Sequence, residues 1–307
     1  MHCKNPYFKS FLNEGLEYRL PMPCCHCYAC RVKNASVWSL RMQLEATQWE
    51  QPVFVTLTYN EEHLPEHRSL VRSHCQDFFK LLRYYIGGYK IKYWICGEYG
   101  EKTQRPHYHA IIFGLKPEHH KFIFNAWKGR GGIEILPAYT GSFYYVAGYV
   151  TKKLGLVRDW KAKNPDRQPP FMQCSKGFGL NFMMSLPHYV ETLDIGGRRF
   201  AIGRYLKNKL AEKFGISALV KNKGLEILYD SVVETLSLFE AKDPIAFDKA
   251  CVLDNYPEKT AYFWRYSREI ELYELKREKQ RIRDYEHLQR EKEHLYQRTD
   301  ERYYRTG

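Results

Sequence analysis

Two imidazoles two residues apart, with a carboxylate at the end of the preceding apolar run, are the residue types that hold a divalent ion and leave positions open around it. They occur in residues 96–114, CGEYGEKTQRPHYHAIIFG. An apolar run ends at Glu98, a polar turn containing Gly100 follows, and a second run carries His107, Tyr108 and His109. This layout predicts a hairpin. Side chains alternate faces along a strand, so His107 and His109 project the same way and the partner strand brings Glu98 beside them. Mg, Mn or Zn would suit these donors, and the open positions suit catalysis better than structure. The same set describes non-haem iron oxygenases, so the triad alone does not choose a reaction. Glu101, in the same turn, is a second candidate for the acid.

A second set lies about forty residues downstream. Residues 143–154, FYYVAGYVTKKL, predict a helix that places Tyr145 and Tyr149 one turn apart on one face, with Lys152 and Lys153 on the same or the adjacent face. A tyrosine hydroxyl, with a free pKa near ~10, is a poor nucleophile at neutral pH. Beside a metal-polarised phosphate, and lysines that neutralise developing charge, it can attack phosphorus and form a phosphotyrosine. Such a link keeps the phosphodiester energy for resealing. Lys152 is placed to help the attacking oxygen or the phosphate.

A third set is at the N-terminus. Cys24, Cys27 and Cys30 follow a C-x2-C-x2-C spacing in a Pro-flanked loop, and Cys3 lies about twenty residues upstream. Thiolates so spaced can share one tetrahedral ion, with Cys3 as fourth ligand, which predicts a closed structural zinc site. Cys25 and His26 are the substitutes. The alternatives are reduced cysteines in a loop, or an iron–sulfur cluster, although no C-P follows at the distance such clusters use. Nine cysteines without an export signal argue against a disulfide framework.

The elements that must position these residues give an α+β pattern. Residues 30–49 predict an amphipathic helix with Val37, Leu40 and Leu44 between Arg31, Lys33 and Arg41. Then follow a strand over 53–59, a polar loop over 60–68, a helix over 76–85, the hairpin, a helix over 118–127, a short strand over 133–136 and the tyrosine helix. A central antiparallel sheet with helices packed on it results. Residues 159–170 and 175–179 predict polar loops, and Gly196-Gly197-Arg198-Arg199 a basic hairpin turn. Helical patches follow over 206–260. Leu275, Ile282, Leu288 and Leu295 form a narrow apolar seam on a long charged helix, suited to self-association or to docking on the body.

The formal charge is +13, and aromatics make up 16 % of the 307 residues. Lys and Arg exceed Asp and Glu by only 2 in residues 265–307 (12 against 10), so the excess belongs to the body. A basic, aromatic body predicts a polyanion with stackable bases. Arg31, Lys33, Arg41, Lys102, Arg105 and Lys153 are the candidates to track phosphates. No run approaches the ~18 apolar residues of a membrane span, and the N-terminus lacks the apolar region of a signal peptide, which predicts a soluble intracellular protein with no membrane partner.

Arg105-Pro106-His107-Tyr108-His109-Ala110, the upstream Cys96-Gly97-Glu98, the run Phe54-Val55-Thr56-Leu57-Thr58-Tyr59 and the segment from Tyr145 through Tyr149 to Lys152 occur in the order seen in rolling-circle replication initiators. Over residues 1–205 the chain resembles the HUH endonuclease superfamily in its two-tyrosine form. It is particularly similar to microvirus replication initiation proteins, and Cys3 with the run from Pro23 to Arg31 resembles the gokushovirus branch. The resemblance implies an RRM-like or palm-like core over 51–205, after a Cys-rich zinc element and basic helix over 1–50 and before a mostly helical region over 206–307. It implies His107, His109 and Glu98 as ligands of Mg2+ or Mn2+, Tyr145 and Tyr149 as alternating nucleophiles, and Lys152 as their lysine. It implies a nickase and strand transferase that acts on single-stranded and origin DNA in the host bacterial cytoplasm, with a host helicase and replication machinery as partners. The other readings are a transposase or relaxase of the same superfamily, and a zinc-containing nucleic-acid-binding protein without catalysis.

Overall fold

The computed structural model describes residues 3–13, 16–153, 157–253, 256–265 and 275; the side chains of 13, 16, 18, 149–153 and 157–159 are outside the described residues. The C-terminal seam, Leu275 apart, therefore lies outside them too. In chain order the elements are β1 (Tyr7–Asn13), β2 (Leu16–Met22), α1 (Tyr28–Ala46), β3 (Val53–Thr58), α2 (Arg72–Tyr85), β4 (Lys92–Tyr99), β5 (Pro106–Phe113), α3 (Lys121–Trp127), β6 (Ile133–Pro137), α4 (Thr140–Lys153), α5 (Val157–Lys163), β7 (Phe171–Cys174), α6 (Leu180–Ser185), β8 (Thr192–Ile195), β9 (Arg198–Ala201), α7 (Gly203–Lys213), α8 (Ser217–Lys242) and α9 (Pro244–Val252). The fold is α+β.

The contacts divide the chain into two units, one formed by residues 1–24 with 227–307 and the other by 25–226. In the first, β1 and β2 pair antiparallel, and Phe8 meets Tyr262 edge-on with ring centroids 6.2 Å apart. Asp243 caps α9 by accepting from the Ala246 amide at 3.0 Å, with Pro244 at the first helical position. The hairpin over 7–22 was not expected; its strands mix Lys, Arg and Glu with aromatics and carry no clean alternation.

The second unit is built on an antiparallel sheet of order β6-β3-β5-β4-β7. Its helices make two layers. Alternate residues of the strands, including Val55, Leu57, Ile95, Tyr108, Ala110 and Ile112, share a core with Phe78, Phe79 and Leu82 of α2 and Trp127 of α3. The other set, including Phe54, Trp94, Cys96, Ile111 and Phe113, packs on Met42 of α1 and on Phe143, Val146 and Ala147 of α4. A central strand covered on both faces reads as an apolar run, which is why 110–113 shows no alternation.

Two expectations for loops change. Residues 157–163 are helical, and 171–174 form the edge strand that pairs with β4. The run Phe171-Met172-Gln173-Cys174 is short and lies beside Pro169-Pro170, and four residues are too few to show a period. The hairpin turn at Gly196-Gly197 is found between β8 and β9, with both glycines at positive φ.

Gly97 stands between Cys96 and Glu98 and faces Tyr108 across the β4–β5 ladder. A Cβ there would lie 2.9 Å from Leu70, 3.1 Å from Phe171 and 3.1 Å from the Tyr108 ring. Only the Leu70 methyl can give way easily. Gly97→Ala should therefore cost about 1–3 kcal/mol and lower the thermal midpoint by roughly 3–10 °C; an unchanged midpoint in calorimetry would show that the three neighbours relax without strain.

Candidate metal and tyrosine site

The ladder register sets the site. Glu98 pairs with His107 and Cys96 with His109, while β3 places Thr58 and Thr56 on the other side of the same two histidines. His107 and His109 project from one face, and Glu98 Oε1 lies 3.0 Å from His107 Nε2 and 3.2 Å from His109 Nε2. Glu98 and His109 are buried and His107 is partly exposed. The ligand atoms of the three lie within 4.8 Å of one another. Of the two acids weighed from the sequence, Glu98 joins the histidines, whereas Glu101 is exposed in the turn.

Both rings are also held from behind. His107 Nδ1 is 3.2 Å from the Arg105 carbonyl, so it donates there and leaves Nε2 with its lone pair aimed at the cluster. His109 Nδ1 is 3.3 Å from Thr56 Oγ1, and the ring stacks on Phe54 at 5.5 Å and 20°. Two oriented imidazole nitrogens and a buried carboxylate fit a divalent ion. Separations of 3.0 and 3.2 Å match neighbouring ligands around one ion with bonds of ~2.1 Å.

Tyr145 comes next to this cluster. Its ring is 6.3 Å from His109 and 6.3 Å from Phe54, and the residue is 55 % exposed. Helix α4 achieves this by burying Phe143, Val146 and Ala147 against the sheet, which leaves Tyr145 at the margin of the packed face. Tyr149, Lys152 and Lys153 follow on the same helix. Their side chains lie outside the described residues.

Tyr108, between the two histidines, points to the opposite face and is fully buried. Its hydroxyl accepts from the Val71 amide at 2.8 Å and lies 2.9 Å from the Tyr59 hydroxyl, which in turn is 2.7 Å from His74 Nδ1. Burial pushes both phenols well above the ordinary tyrosine range and pushes His74 down, so all three are neutral at physiological pH. Sequence reading missed this network. The signal was the tyrosine itself, whose hydroxyl needs a partner when the ring is buried.

The cysteine set is also brought together. The sulfurs of Cys3, Cys24, Cys27 and Cys30 lie within 4.8 Å of one another, and the Cys24 amide donates to Cys3 Sγ at 3.2 Å. Cys27 is the N-cap of α1 and Cys30 lies in its first turn, where the helix dipole favours thiolate. The substitutes Cys25 and His26 are exposed and outside the group. Four clustered sulfurs fit a tetrahedral ion.

The six candidate phosphate trackers divide. Lys33 and Lys102 are exposed and Arg31 is partly buried. Arg105 is committed to its own loop, with Nη1 paired to Glu61 and Nη2 donating to the Tyr59 carbonyl at 2.9 Å. Arg41 is a correction: it is buried, donates from Nε to the Phe178 carbonyl at 3.0 Å and stacks over Trp38 and Tyr205. The helical period placed it on the polar side, but α6 and α7 pack there as well.

Residues 52–154 match the family model of the replication-associated protein ORF2. That stretch runs from just before β3 to just past α4 and holds every residue of the histidine–tyrosine site. The chain is 32 % identical over 232 residues to replication-associated protein ORF2 of Spiroplasma virus 4, with 66 % of the chain and 72 % of that protein covered. It is 29 % identical to replication-associated protein ORF4 of Chlamydia phage 1, and 34 % identical to replication-associated protein VP4 of Bdellovibrio phage phiMH2K. The matches cover 66 % and 52 % of the chain, and 58 % and 60 % of those two proteins. No solved structure matches. With its matched core built around the triad and the tyrosine helix, the chain belongs to the replication-associated protein family of the microviruses.

Proposed function

We propose that the chain is an HUH-type replication initiation endonuclease, a nickase and strand transferase that uses tyrosine. The observation that carries this is the approach of exposed Tyr145 to His109, itself one of three convergent ligands. Glu98, His107 and His109 would hold Mg2+ or Mn2+, which supplies Lewis-acid polarisation of the scissile phosphate. A phenol oxygen of α4 attacks phosphorus and the bond to the 3′ oxygen breaks. The phenol loses a proton to water, the leaving oxygen gains one as a 3′ hydroxyl, and the 5′ phosphate stays on the tyrosine. One phosphodiester is exchanged for another, so the reverse attack by a 3′ hydroxyl reseals a strand. Tyr149, one turn on, would serve the second exchange, with Lys152 as the charge-neutralising partner.

The cysteine cluster would hold Zn2+ as a structural ion. Single-stranded and origin DNA are the substrates of this reading, the host bacterial cytoplasm is its setting, and a host helicase and replication machinery are its partners. Among the described residues no helix is long and apolar enough to cross a membrane.

Incubation with Mn2+ and a labelled single-stranded origin should leave label on the protein through denaturing electrophoresis. Tyr145→Phe with Tyr149→Phe should lower that adduct at least about a hundredfold; undiminished cleavage by the double variant sinks the nucleophile assignment, and no adduct under any divalent metal leaves a binding protein. Glu98→Gln should weaken Mn2+ binding in titration calorimetry by ~100-fold or more while the fold persists. Elemental analysis of the purified protein should give one zinc per chain, lost in Cys27→Ser; brown protein with visible absorbance would mean an iron–sulfur cluster instead.

A further inference from the structure

A string of rings crosses the surface where α2 ends and α3 begins. Tyr84 and Tyr85 lie 5.6 Å apart, Tyr85 stacks on Phe122 at 6.1 Å and 9°, Phe122 meets His119 at 6.4 Å, and His119 meets Tyr89 at 5.4 Å. Phe122 anchors the string by packing against the α2–α3 core. The ends point outward, with Tyr84 76 % and Tyr89 43 % exposed. The turn at Gly87 and Gly88, both at positive φ, lets the chain reverse and present Tyr89 beside α3.

Cations are interleaved with the rings. Lys116 lies 5.2 Å over Tyr89 and Lys121 5.1 Å over Phe122. Lys80, one turn before Tyr84 on α2, and Lys90, next to Tyr89, are exposed as well. Within residues 80–90 and 115–122 the single acid is Glu118. Protein interfaces are rich in aromatics but depleted of lysine. Aromatic faces that alternate with lysines are instead what an unpaired strand requires, since bases stack on the rings while ammonium groups meet the phosphates.

We propose that this patch is a second DNA-binding surface, for unpaired DNA of any sequence. It is separate from the triad. The patch belongs to the α2–α3 layer, whereas the histidines face α1 and α4. It also lies at the end of the hairpin where β4 begins and β5 finishes, six residues from His107, or about 20 Å along the strand. It does not rest on the cleavage chemistry proposed above, and it fails independently of it. The choice of DNA over RNA follows from the replication-associated relatives.

The test is fluorescence anisotropy of the full chain with an oligothymidylate of about 20 nucleotides, a length that spans several stacking positions. Tyr84→Ala with Tyr89→Ala should weaken binding at least tenfold. Lys116→Gln with Lys121→Gln should lower the slope of log affinity against log salt by about 1.4. Cross-links from halogenated uracil in the oligonucleotide should map to peptides containing Tyr84 or Tyr89. All four residues are exposed, so thermal midpoints should stay within a few degrees. Unchanged affinity and slope in both variants overturn the proposal, as does equal affinity for a duplex of the same length or tighter binding of oligouridylate. A loss of self-association in sedimentation with DNA affinity intact would make the patch a protein interface and overturn it too.

Discussion

The site depends on the period of two along β5, the central strand, and on what holds its middle residue. His107 and His109 reach the ligand cluster only because Tyr108 takes the opposite face, and there the Tyr108 hydroxyl is tied to Val71 and Tyr59. A one-residue slip of this strand would send both histidines into the α2–α3 core and Tyr108 to the metal side. Such a slip would also bury imidazoles without partners and strip the Val71 amide of its acceptor, each a cost of about 1–3 kcal/mol. Gly97 belongs to the same constraint, because the Tyr108 ring occupies the space where its side chain would be.

The fixed strand decides which phenols can do chemistry. Tyr59 and Tyr108 are near the histidines in sequence or across the ladder, but they are buried and their ionised forms are disfavoured by loss of solvation. Tyr145 reaches the ligand cluster from a helix on the other side of the sheet, where its ring borders His109 and remains exposed. Tyr59 and Tyr108, drawn into the hydroxyl network, serve the scaffold, whereas Tyr145 faces both solvent and the histidines and is accessible to a phosphate.

Much of this was legible in the sequence because the signals were local. Glu98, His107 and His109 sit in one hairpin, and a turn of a few residues leaves little freedom in how they meet. Cys24, Cys27 and Cys30 are equally local, and only Cys3 had to be supplied from a distance. What was not legible depended on neighbours remote in sequence. Arg41 has the helical phase of a surface cation, yet Phe178 and Tyr205, more than 130 residues on, cover it. The strand at 171–174 acquires its identity only by pairing with β4. Four residues next to two prolines contain no periodicity from which to infer that pairing.

Charge shows the same division between local type and remote partner. Glu45 is fully buried, and its carboxylate accepts from Trp49 Nε1 at 2.8 Å, from Lys92 Nζ at 2.9 Å and from the Gly179 amide at 2.7 Å. Removing either ion of such a pair leaves the other buried and uncompensated, at about 3–5 kcal/mol. Lys92 and Arg41 are thus counted in the formal charge while being held inside by structural partners. The basic character that a nucleic acid would meet is correspondingly more concentrated than the total suggests, in residues such as Lys33, Lys102, Lys116 and Lys121 that remain exposed. A polyanion contacting those positions gains counterion release without first breaking a buried pair, which is why placement of the charge, more than its sum, determines where this surface can hold a strand.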